Sequence, residues 1–83
     1  MISVVLDDTF WKDVEVGTEA LVDRWLAAEG ATVHAGMPLV VVVLVKTSIE
    51  VPAPADGVLA RILVSAGATF ARGAPLGSVR EAG

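Results

Sequence analysis

Residues 29–42, EGATVHAGMPLVVV, and residues 66–79, AGATFARGAPLGSV, are two copies of one pattern separated by 37 residues. Seven of the fourteen aligned positions are identical, beginning with Gly30 over Gly67. Each copy is too short to bury its own apolar face, so the two copies must pack on each other about a pseudo-two-fold axis. The sequence therefore predicts a fold made of two similar half-units.

The repeat also predicts where strands and turns fall. In each half-unit we expect a strand, a turn, a short strand, a second turn and a final strand, because glycine and proline separate runs of β-favouring residues. The first strands are expected at residues 20–27 and 57–64, followed by turns at Gly30 and Gly67. The predicted fold is all-β, a flattened barrel or sandwich formed by one domain of residues 1–83. Its quasi-symmetric half-units span about 20–42 and 57–79, and a hairpin of about 43–51 joins them.

The segment from Thr18 to Gly30 has a competing helical interpretation. Thr18 could cap a helix that Gly30 ends, and apolar residues between them fall at helical spacing. We favour a strand, because the repeat partner of this segment, residues 57–64, is rich in β-favouring residues and follows a proline- and glycine-containing turn. Two equivalent segments of a repeat should share one structure.

Composition excludes several classes of function. Eighty-three residues give one domain too small for a walled catalytic pocket, and the single histidine, His34, has no neighbouring residues that suggest a triad or a metal site. A net charge of −4 without a basic cluster argues against nucleic acid, and the apolar run 38–45 is far shorter than the roughly 18 residues of a membrane span. The absence of cysteine and of a basic N-terminal signal region favours a cytoplasmic setting. We expect a non-enzymatic domain that binds no nucleic acid, membrane or metal.

Lys46 lies where the two half-units join. The final strand of the first half-unit ends near Val45 and the next strand begins near Ser48, which places Lys46 and Thr47 in the turn of a hairpin. Under two-fold symmetry the chain termini gather at one pole and Lys46 protrudes at the other. The second lysine, Lys12, lies among acidic neighbours and is expected to be a solvated surface charge.

The residues around Lys46 carry a family resemblance. The following segment, TSIEVPAPADGVL at 47–59, resembles the lipoyl domains of 2-oxoacid dehydrogenase complexes, in which the modified lysine precedes a Glu-Val-Pro-Ser/Ala-Pro type sequence and then Asp-Gly-Val-Leu. The resemblance covers nearly the whole chain, because RWLAAEG at 24–30 and GAT at 67–69 look like the family's strand and turns. The chain departs from the family directly before the lysine, with VLV at 43–45 in place of a Glu-Thr-Asp type sequence.

The resemblance implies a carrier domain in which Lys46 holds lipoate covalently. Acylation of the amine removes its charge and creates a long arm, which would carry acyl groups and reducing equivalents within a 2-oxoacid or acetoin-type dehydrogenase complex. The implied partners are a lipoate ligase or transferase, the decarboxylating and acyltransferase components, and the flavoprotein dihydrolipoyl dehydrogenase. No catalytic residue is expected in the domain itself.

Two alternatives stay open. Lys46 would bear biotin in a biotin carboxyl carrier domain, although Val45 and Thr47 do not supply the methionines that typically flank such a lysine, and Pro52 and Pro54 together favour the lipoyl pattern. An unmodified interaction module that keeps the fold is the third possibility.

The apolar approach to Lys46 suggests a hypothesis about partner contacts. By strand alternation, at least one of Leu44 and Val45 should face solvent, where with Thr47 it would contact a dedicated partner in place of the usual charged contact. In the simpler alternative, both apolar residues extend the core strand.

Overall fold

In a computed structural model, which describes residues 1–81, the chain is built almost entirely from short β-strands. Within that range the one helical element is a four-residue 3-10 helix, Asp8–Trp11, and no helix is long and apolar enough to cross a membrane. The strands are β1 (Ile2–Val4), β2 (Ala20–Trp25), β3 (Thr32–Val33), β4 (Pro38–Leu44), β5 (Thr47–Pro52), β6 (Gly57–Ile62), β7 (Thr69–Phe70) and β8 (Gly77–Glu81). Residues 82 and 83 of the predicted domain lie outside the described residues.

The strands form two four-stranded antiparallel sheets, in the orders β1-β8-β6-β3 and β5-β4-β2-β7. Together they make a flattened sandwich with extents of 40 × 22 × 16 Å. The predicted all-β class with two quasi-symmetric half-units is confirmed. Each sheet also takes one short strand from the opposite half-unit: β7 joins the sheet of β2 and β4, and β3 joins the sheet of β6 and β8.

The symmetry extends to individual residue pairs. Strand β2 pairs with β4 at four positions, and adding 37 to each residue number reproduces four pairs between β6 and β8. A β-bulge interrupts both ladders at equivalent places, between Val22 and Arg24 in β2 and between Leu59 and Arg61 in β6. Because a bulge increases the local twist of a strand, the two half-units bend in the same way at the same point.

The first turn of each half-unit depends on glycine. Gly30 and Gly67 both have φ of +90°, a left-handed conformation that residues with a Cβ rarely adopt. The Gly30 N–H donates to the Leu59 carbonyl oxygen at 2.7 Å, and the Gly67 N–H donates to the Val22 carbonyl oxygen at 2.7 Å. Each turn is therefore bonded to the first strand of the opposite half-unit.

The segment that invited a helical interpretation contains strand β2. Ala20 and Val22 are buried, whereas Leu21 between them is exposed, which is the two-residue period of a strand with one face on the core. The prediction of a strand here is confirmed. Pairing with β4 on one side and β7 on the other satisfies the backbone of β2 and outweighs the helical spacing of its apolar residues.

One hydrophobic core fills the space between the sheets. Its buried side chains are mainly leucine and valine, and both half-units supply buried residues from equivalent positions. These pairs are Val22 with Leu59, Val33 with Phe70, Leu39 with Leu76, and Val42 with Val79. Two of these pairs, Leu39 with Leu76 and Val42 with Val79, are identical positions of the repeat, so the repeat places equivalent side chains in the shared core.

Candidate attachment site

Lys46 occupies a two-residue turn between β4 and β5. The last pair of the ladder joins Leu44 to Thr47, so Val45 and Lys46 alone make the connection. The predicted turn of Lys46 and Thr47 was wrong by one residue, because Thr47 pairs across the ladder and belongs to β5. Val45 has φ of +59°, a conformation that a β-branched side chain strongly disfavours.

The side chain of Lys46 is exposed. None of the three ion pairs formed among residues 1–81 includes it. Its position between the half-units, on a turn that projects from a hydrogen-bonded hairpin, leaves the amine accessible to other proteins. The placement of Lys46 at the pole opposite the termini stays a prediction.

The residues flanking Lys46 differ sharply in exposure. Leu44 is 4% exposed and packs in the core, whereas Val45 is 67% exposed and Thr47 is also exposed. Strand alternation does not apply to Val45, because β4 ends at Leu44. Of these three residues, Val45 and Thr47 present side chains that a partner could reach. Leu44 instead extends the core strand.

The loop that connects the two sheets lies beside the hairpin, a position that the sequence did not predict. The segment between β1 and β2, residues 5–19, brings Phe10 and Val14 against the tip. They form one wall of an open apolar groove of about 180 Å³. The groove is lined by Phe10, Val14, Leu44, Val45, Thr47 and Ile49.

The 3-10 helix that carries Phe10 begins with a side-chain cap. The Asp7 carboxylate accepts hydrogen bonds from the Thr9 backbone N–H at 2.9 Å and from the Thr9 hydroxyl at 2.8 Å. The backbone N–H of Thr9 is the main cause that lowers the pKa of Asp7, since it stabilises the charged carboxylate. The aspartate thus accepts a hydrogen bond from a backbone N–H in the first turn, which has no acceptor within the helix.

Two further contacts attach the loop to the second half-unit. The Arg72 guanidinium donates two hydrogen bonds of 2.6 Å to the Asp8 carboxylate, which lowers the pKa of Asp8 and raises that of Arg72. Trp11 is 2% exposed and meets the Phe70 ring edge-on, with centroids 6.1 Å apart. The adjacent aromatic residues Phe10 and Trp11, within an acidic stretch, are the one sequence feature that could have indicated that this segment packs on the domain.

The remaining polar groups do not assemble a metal centre in the described part of the chain. His34 is exposed, and its nearest charged partner is the exposed Asp56 carboxylate at 3.9 Å. Within residues 1–81, no group of three histidine, aspartate or glutamate side chains lies in an arrangement that could hold a metal ion.

A β-sandwich of two symmetric halves with an exposed lysine on the turn between them is the arrangement implied by the resemblance to domains that carry a covalently attached cofactor. A family model described as "Biotin-requiring enzyme" matches residues 13–79. The chain belongs to this biotin/lipoyl attachment family. Its fold is that of a carrier domain with no catalytic activity of its own.

One solved structure shows how far the similarity extends. The chain is similar to the lipoyl domain of the 2-oxoglutarate dehydrogenase complex from Azotobacter vinelandii, with 29% sequence identity and a TM-score of 0.80. The match covers 100% of both chains. No curated protein matches the sequence.

Proposed function

We propose that Lys46 carries lipoate as an amide and that the domain shuttles acyl groups and reducing equivalents within a 2-oxoacid or acetoin-type dehydrogenase complex. The observation that carries the proposal is the position of Lys46, exposed on a two-residue turn between two half-units, in a chain similar over its full length to a lipoyl domain. The proposed setting is the cytoplasm.

The residues at the tip fit a covalently attached arm. The Lys46 amine is exposed and outside the ion pairs of residues 1–81, so its acylation breaks none of those pairs. Amide formation joins Nζ to the activated carboxyl carbon, releases the activating group and a proton, and removes the charge of the lysine. A bound lipoyl group would supply a dithiolane that takes up an acyl group on reductive opening and is reoxidised by thiol–disulfide exchange.

The domain contributes placement. The hairpin of β4 and β5 holds the lysine at the end of a hydrogen-bonded ladder, so the arm starts from a fixed point while the arm itself is flexible. Tethering raises the effective concentration of the arm at each partner site to about the millimolar range. The proposed partners are a lipoate ligase or transferase, decarboxylating and acyltransferase components, and a flavoprotein dihydrolipoyl dehydrogenase.

Partner recognition at this tip is proposed to include an apolar contact. Val45 and Thr47 flank Lys46 with exposed side chains, where the lipoyl pattern has acidic residues before the lysine. An exposed valine beside the modified lysine favours a partner surface that is itself apolar at this point, because burying both surfaces removes them from water.

Ligase co-expression tests the assignment. The chain is produced with a lipoate ligase and, separately, with a biotin ligase, and intact mass and peptide mapping locate any adduct. We expect a lipoyl adduct on Lys46, none in Lys46→Arg, and an unchanged adduct in Lys12→Arg, the matched control at the second lysine. A biotinyl adduct on Lys46 would assign the domain as a biotin carboxyl carrier, and no adduct with either ligase would leave an unmodified interaction module.

A further inference from the structure

Beside Lys46 lies the groove whose far wall, Phe10 and Val14, has no role in the proposed function. Five of its six lining residues are apolar and the sixth is Thr47. A neighbouring hollow shares Val14 and Val45 with the groove and is also lined by Asp13, Glu15 and Glu19, whereas no carboxylate among residues 1–81 lines the groove itself. The groove therefore favours an uncharged, apolar occupant.

We propose that this groove is the resting seat of the arm attached to Lys46, with the methylene chain and terminal ring lying against Phe10 and Val14. The inference rests on the proposed function, because it takes the attached group as the occupant. It assigns to Phe10 and Val14, and to Val45 beside its proposed partner contact, the role of holding the arm on the domain between visits to partner active sites.

The size and position of the groove favour an attached group over a free ligand. Its volume of about 180 Å³ is smaller than the roughly 300–1,000 Å³ of sites that bind free small molecules. Two of its lining residues, Val45 and Thr47, are the chain neighbours of Lys46, so an arm on that lysine starts at the edge of the groove. With an effective concentration in the ~mM range from the tether, even an affinity of about 1 mM seats about half of the arms.

The chemistry of the groove favours one kind of arm. A lipoyl arm ends in an uncharged dithiolane, which can lie on apolar side chains without losing hydrogen bonds. A biotinyl arm ends in a ureido ring, whose N–H and C=O groups would lose their bonds to water on the same surface. The seat therefore selects the arm that the lipoyl assignment predicts.

The wall that carries Phe10 is held in place before any arm arrives. Phe10 is 47% exposed, yet the next residue, Trp11, is 2% exposed and packs on Phe70. The helix that contains both is capped by Asp7 and bonded to Arg72 through Asp8. A half-exposed aromatic ring on a loop anchored in this way is a preformed contact surface.

An arm of defined length can be attached without a ligase, because the chain contains no cysteine. Lys46→Cys is alkylated with N-octyl iodoacetamide, and the labelled full chain is studied by NMR with isotope-labelled methyl groups. We expect nuclear Overhauser contacts from the octyl chain to the Phe10 ring and the Val14 methyls, and an upfield shift of the octyl signals from the ring current. Phe10→Ser should abolish both effects.

Leu26→Ser is the matched control. Leu26 is 43% exposed, close to the exposure of Phe10, but its N–H bonds to the Leu39 carbonyl oxygen, five residues along β4 from Leu44. The octyl contacts and shifts should be unchanged in this variant. Contacts confined to the chain neighbours of position 46, with none to Phe10 or Val14, would overturn the proposal. This outcome is independent of whether a ligase modifies Lys46, so failure of the seat and failure of the lipoyl assignment are distinguishable.

The unmodified chain tests whether a second copy of the protein, and not the arm, occupies the groove. If a second copy fills the groove, the Val14, Val45 and Ile49 methyl signals should shift with protein concentration before any arm is attached. Concentration-dependent shifts of these signals would assign the groove to self-association and overturn its assignment to the arm. Concentration-independent signals that shift only on octylation support it.

Discussion

The left-handed backbone at Val45 leads to a quantitative prediction about the tip. Val45→Asn keeps a side chain at this position but replaces a β-branched residue with one that tolerates positive φ. The structure gives φ of +59° for Val45 and leaves 67% of the residue exposed. Replacing it should therefore relieve backbone strain and remove little buried apolar surface.

The expected gain follows from two opposing terms. A valine in the left-handed region costs about 1–2 kcal/mol, whereas asparagine adopts this region readily because its short side chain can hydrogen-bond locally. Against this, the buried third of Val45 contributes about 0.5 kcal/mol, taking about 1.5 kcal/mol for a fully buried valine. Val45→Asn should raise the free energy of unfolding by about 1 kcal/mol, which for a domain of this size corresponds to a rise in Tm of about 4–8 °C.

Urea and thermal unfolding followed by tryptophan fluorescence and circular dichroism measure this change. The control is Val16→Asn, because Val16 is fully exposed and, unlike Val45, does not have a positive φ. The control should leave the free energy of unfolding within about 0.5 kcal/mol of the parent, as for most surface substitutions. A Val45→Asn variant no more stable than Val16→Asn would refute the argument from strain.

Three further substitutions test other parts of the structure. Leu44→Asp should lower the free energy of unfolding by at least about 3 kcal/mol, because it places a charge at a site 4% exposed. The Arg72 hydrogen bonds lower the pKa of Asp8 below its ordinary value of 3.8, so their stabilisation is present above pH 3.8 and is lost as pH falls through the lowered pKa. Asp8→Asn should therefore lower the urea midpoint at pH 7 but not at strongly acidic pH, with a smaller effect at high salt because the pair is exposed. Gly57→Ala should cost about 3 kcal/mol in chemical unfolding, the upper end of the usual cost of overpacking, because the added Cβ would overlap the Arg80 carbonyl oxygen.

Each of these has a matched control. Val45→Asp should fold normally, in contrast to Leu44→Asp; equal losses would contradict the difference in burial. Asp13→Asn should leave the pH dependence of the urea midpoint unchanged. An effect equal to that of Asp8→Asn would show that general charge repulsion, and not the Asp8–Arg72 ion pair, causes the change. Gly36→Ala meets open space but has φ of +84°, so it should cost about 1–2 kcal/mol, less than Gly57→Ala.

The repeat made most of the fold predictable. Matching residues 37 apart placed strands β2 and β6, the turns at Gly30 and Gly67, and the junction at Lys46, because equivalent sequences in a symmetric sandwich meet equivalent neighbours. The helical spacing within β2 was correctly outweighed by the same argument. Strand ends were less accurate: β4 stops at Leu44, since the ladder closes with Thr47 and leaves two residues for the turn.

The loop between β1 and β2 was beyond this reasoning. Residues 5–19 precede the first repeat and have no copy to align with, so symmetry said nothing about them. Their position depends on particular tertiary contacts, Trp11 on Phe70 and Asp8 on Arg72, that join residues more than fifty positions apart. Such contacts leave no periodic signal in the sequence. The lysine was found because it lies at the junction of the two repeat copies, and the groove was missed because one of its walls, Phe10 and Val14, comes from the loop.

The exchange of short strands between the sheets bears on how the domain assembles. With β7 completing the sheet of the first half-unit and β3 that of the second, neither half-sequence contains all the strands of its own sheet. Pairing must wait until distant parts of the chain meet, which is the high contact order that slows folding to the millisecond-to-second range. It also makes folding cooperative, because no half can persist alone as a stable intermediate. The hairpin of β4 and β5 that carries Lys46 is therefore stable only while the entire sandwich is folded.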